Sequence, residues 1–428
     1  MRKLSFLIAI FCFIRANAQT YEITFAGGNI FTPVSTVKVQ NLNNGLTLTL
    51  NGSDILRLTP LTGVNDEQYS QYGRIRIYPN PATDFSILEI IPPVAGDADI
   101  SVHDIAGREL ARISSYLGDN GKSLKIDRLG TGLFFVSVKS KNYKMTRQLI
   151  GNGKSSGSLS LTEFDNTVSQ VDEIMTIKSS KSTQAVVDMN FTAGDRLKFI
   201  ATSVDYTLVK MDVPASSKTI TFNFISCRDG ENNNYPVVEI GTQVWMAANL
   251  FTTNFNDGTA IPLITDNSAW HSTNTPAYCW YNNDPVTYKA AYGGLYSWYA
   301  LDATSNGGKN VCPTGWHVPT DDEWTTLSNY LGGALVAGRK LTEKGTTHWA
   351  LPNLAATDET GFAALPGGLR SWFNGSFSFI HTDGFWWSAT EHGTDVAWNR
   401  TLTVSFSPIY ITDDDKNSGL SVRCIRDL

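Results

Sequence analysis

Most of the first 225 residues alternate between apolar and polar positions in short runs. Tyr21–Phe25 and Leu46–Leu50 alternate strictly, and Asn51-Gly52 supplies a turn after the second run. Similar runs recur further along the chain, at residues 186–191, 196–201, 206–211 and 219–224. Because side chains on a strand point alternately to the two faces of a sheet, this pattern predicts a β-rich fold.

The spacing of apolar residues changes after Thr320, where a helix is predicted to run to Tyr330. Thr320 is a suitable N-cap, and Glu323 lies at the position that completes a capping box. Three apolar residues recur at helical spacing and predict one buried face: Trp324, Leu327 and Leu331. Trp386 and Trp387 are adjacent, so on a strand they would face opposite ways, and we expect one of them in the core.

The N-terminus carries a pattern of its own. Arg2 and Lys3 precede an apolar run from Leu4 to Ile14, and Ala16-Asn17-Ala18 follows it. A basic start, an apolar run of this length and small residues at the cleavage position predict a secretory signal peptide over residues 1–18. A buried strand is the alternative, but it explains neither the charge nor the small residues. No later stretch is apolar enough to span a membrane, so we expect a secreted or cell-surface protein with no transmembrane segment.

Export changes the interpretation of the cysteines. Cys12 lies in the predicted signal peptide, which leaves four: Cys227, Cys279, Cys312 and Cys424. An even number in an oxidising compartment favours disulfides, and we expect Cys312–Cys424 and Cys227–Cys279. A zinc site is the alternative, but no Cys-x-x-Cys spacing supports it.

Length and charge narrow the classes of partner. A chain of 428 residues is long enough for several domains. The net charge of −6 and the absence of a basic stripe argue against nucleic-acid binding.

The last 200 residues contain a series of motifs that resembles one known family. The motifs include Val244–Leu250, Cys312–His317, Gly345–Trp349, Trp386–Glu391 and Ser421–Cys424. In this order they resemble the Fibrobacter succinogenes major paralogous domain of Bacteroidetes surface proteins. The resemblance covers residues 226–428 and implies an α+β, C-type-lectin-like fold. It implies no defined biochemical activity.

A second resemblance lies inside the chain, over residues 73–150. Ile75–Asp84, Val102–Arg108 and Leu129–Val136 resemble parts of the type A C-terminal sorting domain of the type IX secretion system. That signal works at a C-terminus, so here we interpret the segment as a structural β-sandwich. Residues 151–157 resemble a Gly/Ser linker. The predicted fold class is therefore multidomain, with β-sandwich N-terminal regions before the lectin-like domain. Residues 19–72 and 158–225 would form one β-domain split by the insertion, or two independent small domains.

The sequence lacks the common signatures of catalysis. There is no Gly-x-Ser-x-Gly elbow, no P-loop and no histidine pair at metal-ligand spacing. Enzymes of this fold superfamily that make formylglycine use cysteine, and here every cysteine is expected to be paired. His317 and His348 are expected to be partly buried structural residues. We therefore expect no catalytic residue, no cofactor and no metal.

Calcium-dependent sugar binding is also disfavoured. The positions that resemble the lectin signatures are Leu351-Pro352-Asn353 and Trp398-Asn399-Arg400. Each lacks a carboxylate ligand, and calcium requires several oxygen ligands.

The remaining candidates lie among the aromatic and polar residues between positions 370 and 410. Core packing is the alternative for most of these aromatics. As ligand-binding candidates we select Arg370, Trp372, Glu391, Arg400 and Tyr410. The leading hypothesis is an exported, noncatalytic binding or adhesion protein with a glycan or protein ligand outside the cell. A structural surface or matrix protein and an enzyme of unknown type are the alternatives.

Overall fold

The fold comes from a computed structural model. It describes residues 20–28, 33–60, 74–78, 80–82, 85–118, 121–141, 143–154, 158–163, 184–351, 353, 355–404 and 408–427. The predicted signal peptide, residues 1–18, lies outside these described residues. The chain divides into two compact units, one of Met1–Gly63 with Lys181–Leu428 and one of Val64–Ser180. The β-rich class that the sequence predicts is confirmed.

The first segment of the larger unit contributes four strands. They are β1 (Tyr21–Gly27), β2 (Thr36–Asn41), β3 (Thr47–Asn51) and β4 (Ile55–Pro60). Val37 and Val39 alternate with more exposed residues on β2 and are fully buried, as the apolar–polar alternation predicts.

The smaller unit consists of two four-stranded sheets, with orders β11-β10-β7-β8 and β12-β9-β6-β5. Apolar residues of both sheets form one core, so the unit is a β-sandwich. Its strands are β5 (Arg74–Tyr78), β6 (Phe85–Ile91), β7 (Gly96–Asp104), β8 (Glu109–Leu117), β9 (Lys122–Asp127), β10 (Gly130–Ser140), β11 (Lys144–Lys154) and β12 (Ser160–Glu163).

This sandwich extends further along the chain than expected. The strand β11 continues to Lys154, so the first part of the expected linker at residues 151–157 is β-structure. The strand β12 pairs with β9, which places residues 160–163 in the sandwich and not in the N-terminal β-domain. The physical reason is the burial of apolar surface, because Leu161 lies opposite Ile126 and packs against the sandwich core.

Four further strands complete the N-terminal part of the larger unit. They are β13 (Val186–Phe191), β14 (Leu197–Ser203), β15 (Tyr206–Asp212) and β16 (Lys218–Phe222). A four-stranded sheet has the order β13-β4-β1-β16, so strands from before and after the smaller unit pair with each other. Apolar side chains of this sheet and of β2 and β14 share one core.

The rest of the chain supplies eleven strands, five α-helices and two 3₁₀ helices (Tyr281–Asn283 and Trp298–Ala300) within the described residues. The strands are β17 (Val237–Ile240), β18 (Gln243–Met246), β19 (Tyr278–Cys279), β20 (Leu295–Tyr296), β21 (Trp316–His317), β22 (Gly367–Arg370), β23 (Phe377–Ile380), β24 (Asp383–Glu391), β25 (Val396–Thr403), β26 (Tyr410–Asp415) and β27 (Ile425–Arg426). The helices are α1 (Asn267–His271), α2 (Pro285–Tyr292), α3 (Ala303–Asn306), α4 (Asp321–Tyr330) and α5 (Ala334–Leu341).

One eight-stranded sheet joins the two halves of the larger unit. Its order is β21-β27-β18-β17-β15-β14-β2-β3, and β15 pairs with β17 in parallel. The sheet therefore continues across the domain boundary that was expected between residues 225 and 226. The reason is that the sheet has a core on each face: Leu208 packs in one and Val209 in the other. The N-terminal strands therefore share their sheet with the C-terminal region.

The helix α4 begins as the sequence predicts. Thr320 Oγ1 accepts a hydrogen bond from Glu323 N at 3.3 Å, and Glu323 Oε2 accepts one from Thr320 N at 2.8 Å, which completes the capping box. Trp324 and Leu327 are buried on its inner face. Within the described part of the chain, no helix combines the length and apolar character needed to cross a membrane.

Cys312 and Cys424 form a disulfide, with their Cα atoms 6.0 Å apart. The second expected disulfide is not formed, because Cys227 and Cys279 are free thiols buried in different apolar clusters. Cys279 packs beside Trp270 and Leu295. Burial raises the pKa of Cys279 to about 12, against the opposing effect of Arg370, so its thiol is protonated at neutral pH.

Candidate functional site

The site is built on the hairpin of β22 and β23. The turn between these strands is closed by Ser371 N, which donates to Ser376 O at 2.8 Å, and by Gly375 N, which donates to Ser371 O at 2.9 Å. Gly375 has a φ of 70°, and a Cβ there would lie 2.4 Å from Asn267 O. Only glycine fits this close approach, so the turn lies tightly against the start of α1.

Arg370 holds this turn from inside the protein. Its Nε donates to Gly375 O at 2.9 Å, one Nη donates to Ile264 O, and the other donates to Thr265 O at 2.9 Å and to Asn267 Oδ1 at 3.0 Å. Arginine suits this role because its planar guanidinium presents five donors in a fixed geometry.

The same guanidinium is stacked between two rings. Its Cζ lies 4.5 Å from the ring centroid of Trp270 and 4.8 Å from that of Phe377. The exposed fraction of Arg370 is 0%. The expectation that Arg370 binds a ligand is therefore wrong for this structure, since its donors are used by the protein and are closed to solvent.

Two aromatic side chains project from the turn that Arg370 holds. Trp372 is 40% exposed and Phe373 is 67% exposed, and their ring centroids lie 5.6 Å apart in an edge-to-face arrangement. Trp372 O accepts a hydrogen bond from His271 Nδ1 at 2.8 Å, and Phe373 N donates to Ser371 Oγ at 3.2 Å. We call Trp372 and Phe373 the aromatic tip. Their backbone is fixed while their rings reach solvent.

Arg400 is also buried, at 0% exposure. One Nη donates to Asp321 Oδ1 at 2.6 Å, and the other donates to Asp321 O at 3.2 Å and to Thr325 Oγ1 at 3.4 Å. These bonds attach β25 to the first turns of α4. The expectation that Arg400 contacts a ligand is corrected because the side chain is closed to solvent, although its Nε makes no hydrogen bond.

The last two candidates lie elsewhere. Glu391 forms an ion pair with Lys416, whose ammonium group is almost buried and lies 4.8 Å from the Trp298 ring centroid. Tyr410 is 37% exposed on β26. The five-stranded sheet has the order β23-β22-β24-β25-β26, so Tyr410 and the aromatic tip belong to opposite edges. The five predicted residues therefore do not form one site.

Comparison with known families agrees with both resemblances seen in the sequence. Residues 238–426 match the Fibrobacter succinogenes major domain, and residues 76–152 match the secretion system C-terminal sorting domain. The chain carries both domains. Together they indicate an exported protein of the surface type. The hairpin, the aromatic tip and Arg400 all lie within the Fibrobacter succinogenes major domain, which we call the major domain.

One solved structure is similar to part of the chain. It is the crystal structure of dimeric latent PorU from Porphyromonas gingivalis, which is 14% identical; the match covers 26% of this chain and 11% of that chain, with a TM-score of 0.17. At this TM-score the likeness carries no argument about the fold. No curated protein matches the chain.

His317, in the major domain, forms two ion pairs. Its Nδ1 lies 2.6 Å from Asp427 Oδ1, and its Nε2 lies 2.9 Å from Glu323 Oε1. The hydrogen bond to Glu323, followed by that to Asp427, raises the pKa of His317 to about 9 although partial burial opposes it. The imidazole is therefore charged at neutral pH and connects the chain end to the capping box of α4. His348 Nδ1 lies 2.8 Å from Glu343 Oε2.

The described residues contain no group of three or more His, Cys, Asp or Glu side chains able to hold a metal ion. At the lectin-signature position, Asn399 Oδ1 accepts hydrogen bonds from Thr401 Oγ1 and Thr412 Oγ1, while the next residue, Arg400, pairs with Asp321. The two side chains are therefore already engaged by the protein, Asn399 within the sheet and Arg400 with α4.

Phe373 is the functional candidate that sequence reasoning missed. It is more exposed than Trp372, its neighbour in the chain. A signal was available, because Ser371-Trp372-Phe373-Asn374-Gly375-Ser376 places two aromatics among turn-forming residues. At the tip of a turn, rings are far from the core that most aromatics occupy.

Proposed function

We propose that the protein is an exported, noncatalytic binding or adhesion protein whose aromatic tip contacts a glycan or a protein outside the cell. The observation that carries the proposal is the pairing of Trp372 and Phe373, both exposed, on a turn held by the buried Arg370. Large aromatic side chains such as tryptophan are enriched in binding hot spots, and a fixed backbone reduces the entropy lost on binding.

We also propose that the major domain is C-type-lectin-like and binds without calcium. The resemblance to the family implies the fold, and the pairing of β18 with β27 near the two ends of the domain is consistent with it. Calcium independence is supported by the missing carboxylate at this position, because Arg400, which stands there, pairs with Asp321 and offers no oxygen ligand.

The test is retention of the purified chain on arrays of glycans and of extracellular proteins, with and without EDTA. The double variant Trp372→Ala/Phe373→Ala should reduce retention about tenfold or more, since aromatic hot spots contribute at least about 2 kcal/mol. EDTA should leave retention unchanged.

Two control variants remove exposed aromatics elsewhere. Tyr116→Ala lies in the β-sandwich, where the side chain is 62% exposed, and Tyr410→Ala lies at the opposite edge of the five-stranded sheet. Both should keep normal retention. If the tip variant binds as well as the wild type, or if EDTA abolishes retention, the proposal fails.

A further inference from the structure

A cavity lies in the larger unit, beside the eight-stranded sheet. Its volume is about 440 Å³, and residues of β15, β17, α4 and α5 line it. Small-molecule sites commonly have volumes of about 300–1,000 Å³. No residue of the aromatic tip contributes to its lining.

Tyr330, the last residue of α4, provides an aromatic wall. Its side chain is 65% exposed although it lines the cavity. The ring lies against Gly241, the turn residue between β17 and β18: an added Cβ there would stand 2.9 Å from Tyr330 Cδ2. Gly241 has a φ of 65°, so glycine suits both the backbone and the close contact. One side of the ring is thereby supported by the turn, while most of its surface is open.

The cavity lining carries equal numbers of positive and negative side chains. It includes two lysines, Lys210 and Lys340, and two glutamates, Glu239 and Glu359. Lys340 Nζ pairs with Glu359 Oε1 at 3.0 Å, and Lys210 Nζ donates to Thr221 O at 3.0 Å. A charged ligand would meet no excess of opposite charge here.

Two polar side chains that line the cavity can still form hydrogen bonds with a ligand. The carboxylate of Glu239 makes no hydrogen bond or ion pair with any residue that the structure describes, and its side chain is exposed. A carboxylate accepts hydrogen bonds at two oxygens, which suits a pair of neighbouring hydroxyl groups. Asn223 also lines the cavity and adds an amide donor and acceptor.

We propose that this cavity binds the terminal residue of a neutral glycan. The apolar C–H face of a sugar ring would pack on Tyr330, and its hydroxyl groups would donate to Glu239 and exchange hydrogen bonds with Asn223. Burial of the sugar face against the ring supplies the hydrophobic part of binding, and the paired polar groups supply orientation.

The experiment is isothermal titration of the full chain with neutral hexasaccharides: cellohexaose, maltohexaose, xylohexaose and mannohexaose. Hexagalacturonate and hexalysine serve as the charged comparison ligands. We expect at least one neutral hexasaccharide to bind, and neither charged ligand to bind more tightly. Tyr330→Ala should weaken that binding about tenfold, because it removes the ring on which the sugar packs, whereas Tyr330→Phe keeps the ring and should bind nearly as the wild type does.

Glu239→Gln tests the acceptor role independently, because an exposed glutamate can be replaced by its amide without removing volume. It should weaken binding about tenfold through the loss of charged acceptors, and it decides the question if Tyr330→Ala does not fold. Tyr116→Ala is the control, because it removes an exposed aromatic of the β-sandwich, and it should leave this binding unchanged. Binding that is lost in Trp372→Ala but kept in Glu239→Gln belongs to the aromatic tip, so failure here is distinguishable from failure there. The proposal is overturned if no neutral hexasaccharide binds, if a charged ligand binds more tightly, or if Glu239→Gln binds like the wild type.

Discussion

Lys198 Nζ lies 2.7 Å from Asp358 Oδ2, and the two side chains are only 8% and 3% exposed. Lys198 belongs to β14 of the N-terminal strands, whereas Asp358 lies in a loop of the major domain. Asp358 Oδ1 also accepts a hydrogen bond from Ala363 N at 3.1 Å. A buried ion pair thus attaches this loop to a strand that precedes the matched domain by some forty residues.

Removing one partner of this pair should destabilise the larger unit strongly. Lys198→Met leaves the Asp358 carboxylate buried without its cation, and the free energy of unfolding should fall by about 3–5 kcal/mol. All eleven tryptophans lie between residues 245 and 398, so tryptophan fluorescence during urea denaturation reports on this unit alone.

Lys340→Met is the matched control, because the Lys340–Glu359 pair is 25% and 28% exposed. A partly solvated pair contributes at most about 1 kcal/mol. The double variant Lys198→Met/Asp358→Asn should lose less stability than Lys198→Met, since no charge remains buried without a partner and the asparagine oxygen can still accept the hydrogen bond from Ala363 N. Equal, small effects of Lys198→Met and Lys340→Met would contradict the structural importance of the buried pair.

The disulfide between Cys312 and Cys424 should stabilise the same unit. It joins residues 112 positions apart. By constraining the unfolded chain it should contribute about 4–5 kcal/mol, so Cys312→Ala/Cys424→Ala should unfold at a correspondingly lower urea concentration. A change below about 1 kcal/mol would indicate that the unfolded chain does not gain the expected freedom.

Thiol titration checks the other two cysteines without any substitution. Cys227 and Cys279 are free and buried, so in the absence of reductant neither should react with a thiol reagent until the chain is unfolded. Two reactive thiols per chain should then appear in denaturant, in addition to Cys12 if the preparation retains it. If neither cysteine reacts in denaturant, the second disulfide that the sequence suggested does form.

The features that could be predicted from the sequence are those that local chemistry determines. The capping box of α4 depends only on Thr320 and on the residue three positions later. Alternation correctly placed Trp386 and Trp387 on opposite faces of β24. One of the two was expected in the core, and both are buried, because β24 has an apolar cluster on each side: Trp386 packs in one and Trp387 in the other.

The roles of Arg370 and Arg400 could not be predicted in the same way. A guanidinium can serve a ligand or the protein, and the choice depends on acceptors that are distant in sequence. Ile264 and Thr265, which accept hydrogen bonds from Arg370, precede it by about a hundred residues. The pairing of β15 with β17 in one sheet could not be predicted from the sequence either, since only two residue pairs form that contact.

His317 should make the stability of the protein depend on pH. Its pKa is raised from 6.5 to about 9 by its two carboxylate partners, Glu323 and then Asp427. A histidine with a higher pKa in the folded state contributes its stability fully below pH 6.5 and loses it as the pH rises through about 9. Replacement by Gln should therefore lower Tm at about pH 6 and have little effect at about pH 10.

Two measurements check this expectation. An NMR titration of the His317 ring should give a pKa near 9, well above that of an exposed histidine. Melting curves of the wild type and of His317→Gln across this pH range should converge as the pH rises. A His317 pKa near 6.5, or a Tm difference that grows at high pH, is incompatible with the two ion pairs.

Arg370→Lys should separate the fixing of the turn from the presence of the aromatic rings. Lysine keeps the positive charge, but one ammonium group cannot reach Gly375 O, Ile264 O and Thr265 O together, so buried acceptors lose their donors. The free energy of unfolding should fall by about 1–3 kcal/mol for an acceptor left unpaired. The Gly375 amide, which bonds to Ser371 O, should exchange its hydrogen faster.

The same variant should also weaken retention on the arrays although Trp372 and Phe373 are unchanged, because a mobile turn must be ordered again on binding. Phe373→Ala is the complementary control: it removes a ring that is 67% exposed, so retention should fall while the exchange of the Gly375 amide stays normal. If Arg370→Lys speeds exchange without affecting retention, binding does not require a fixed tip, and the contact must be made by surfaces that the turn does not position.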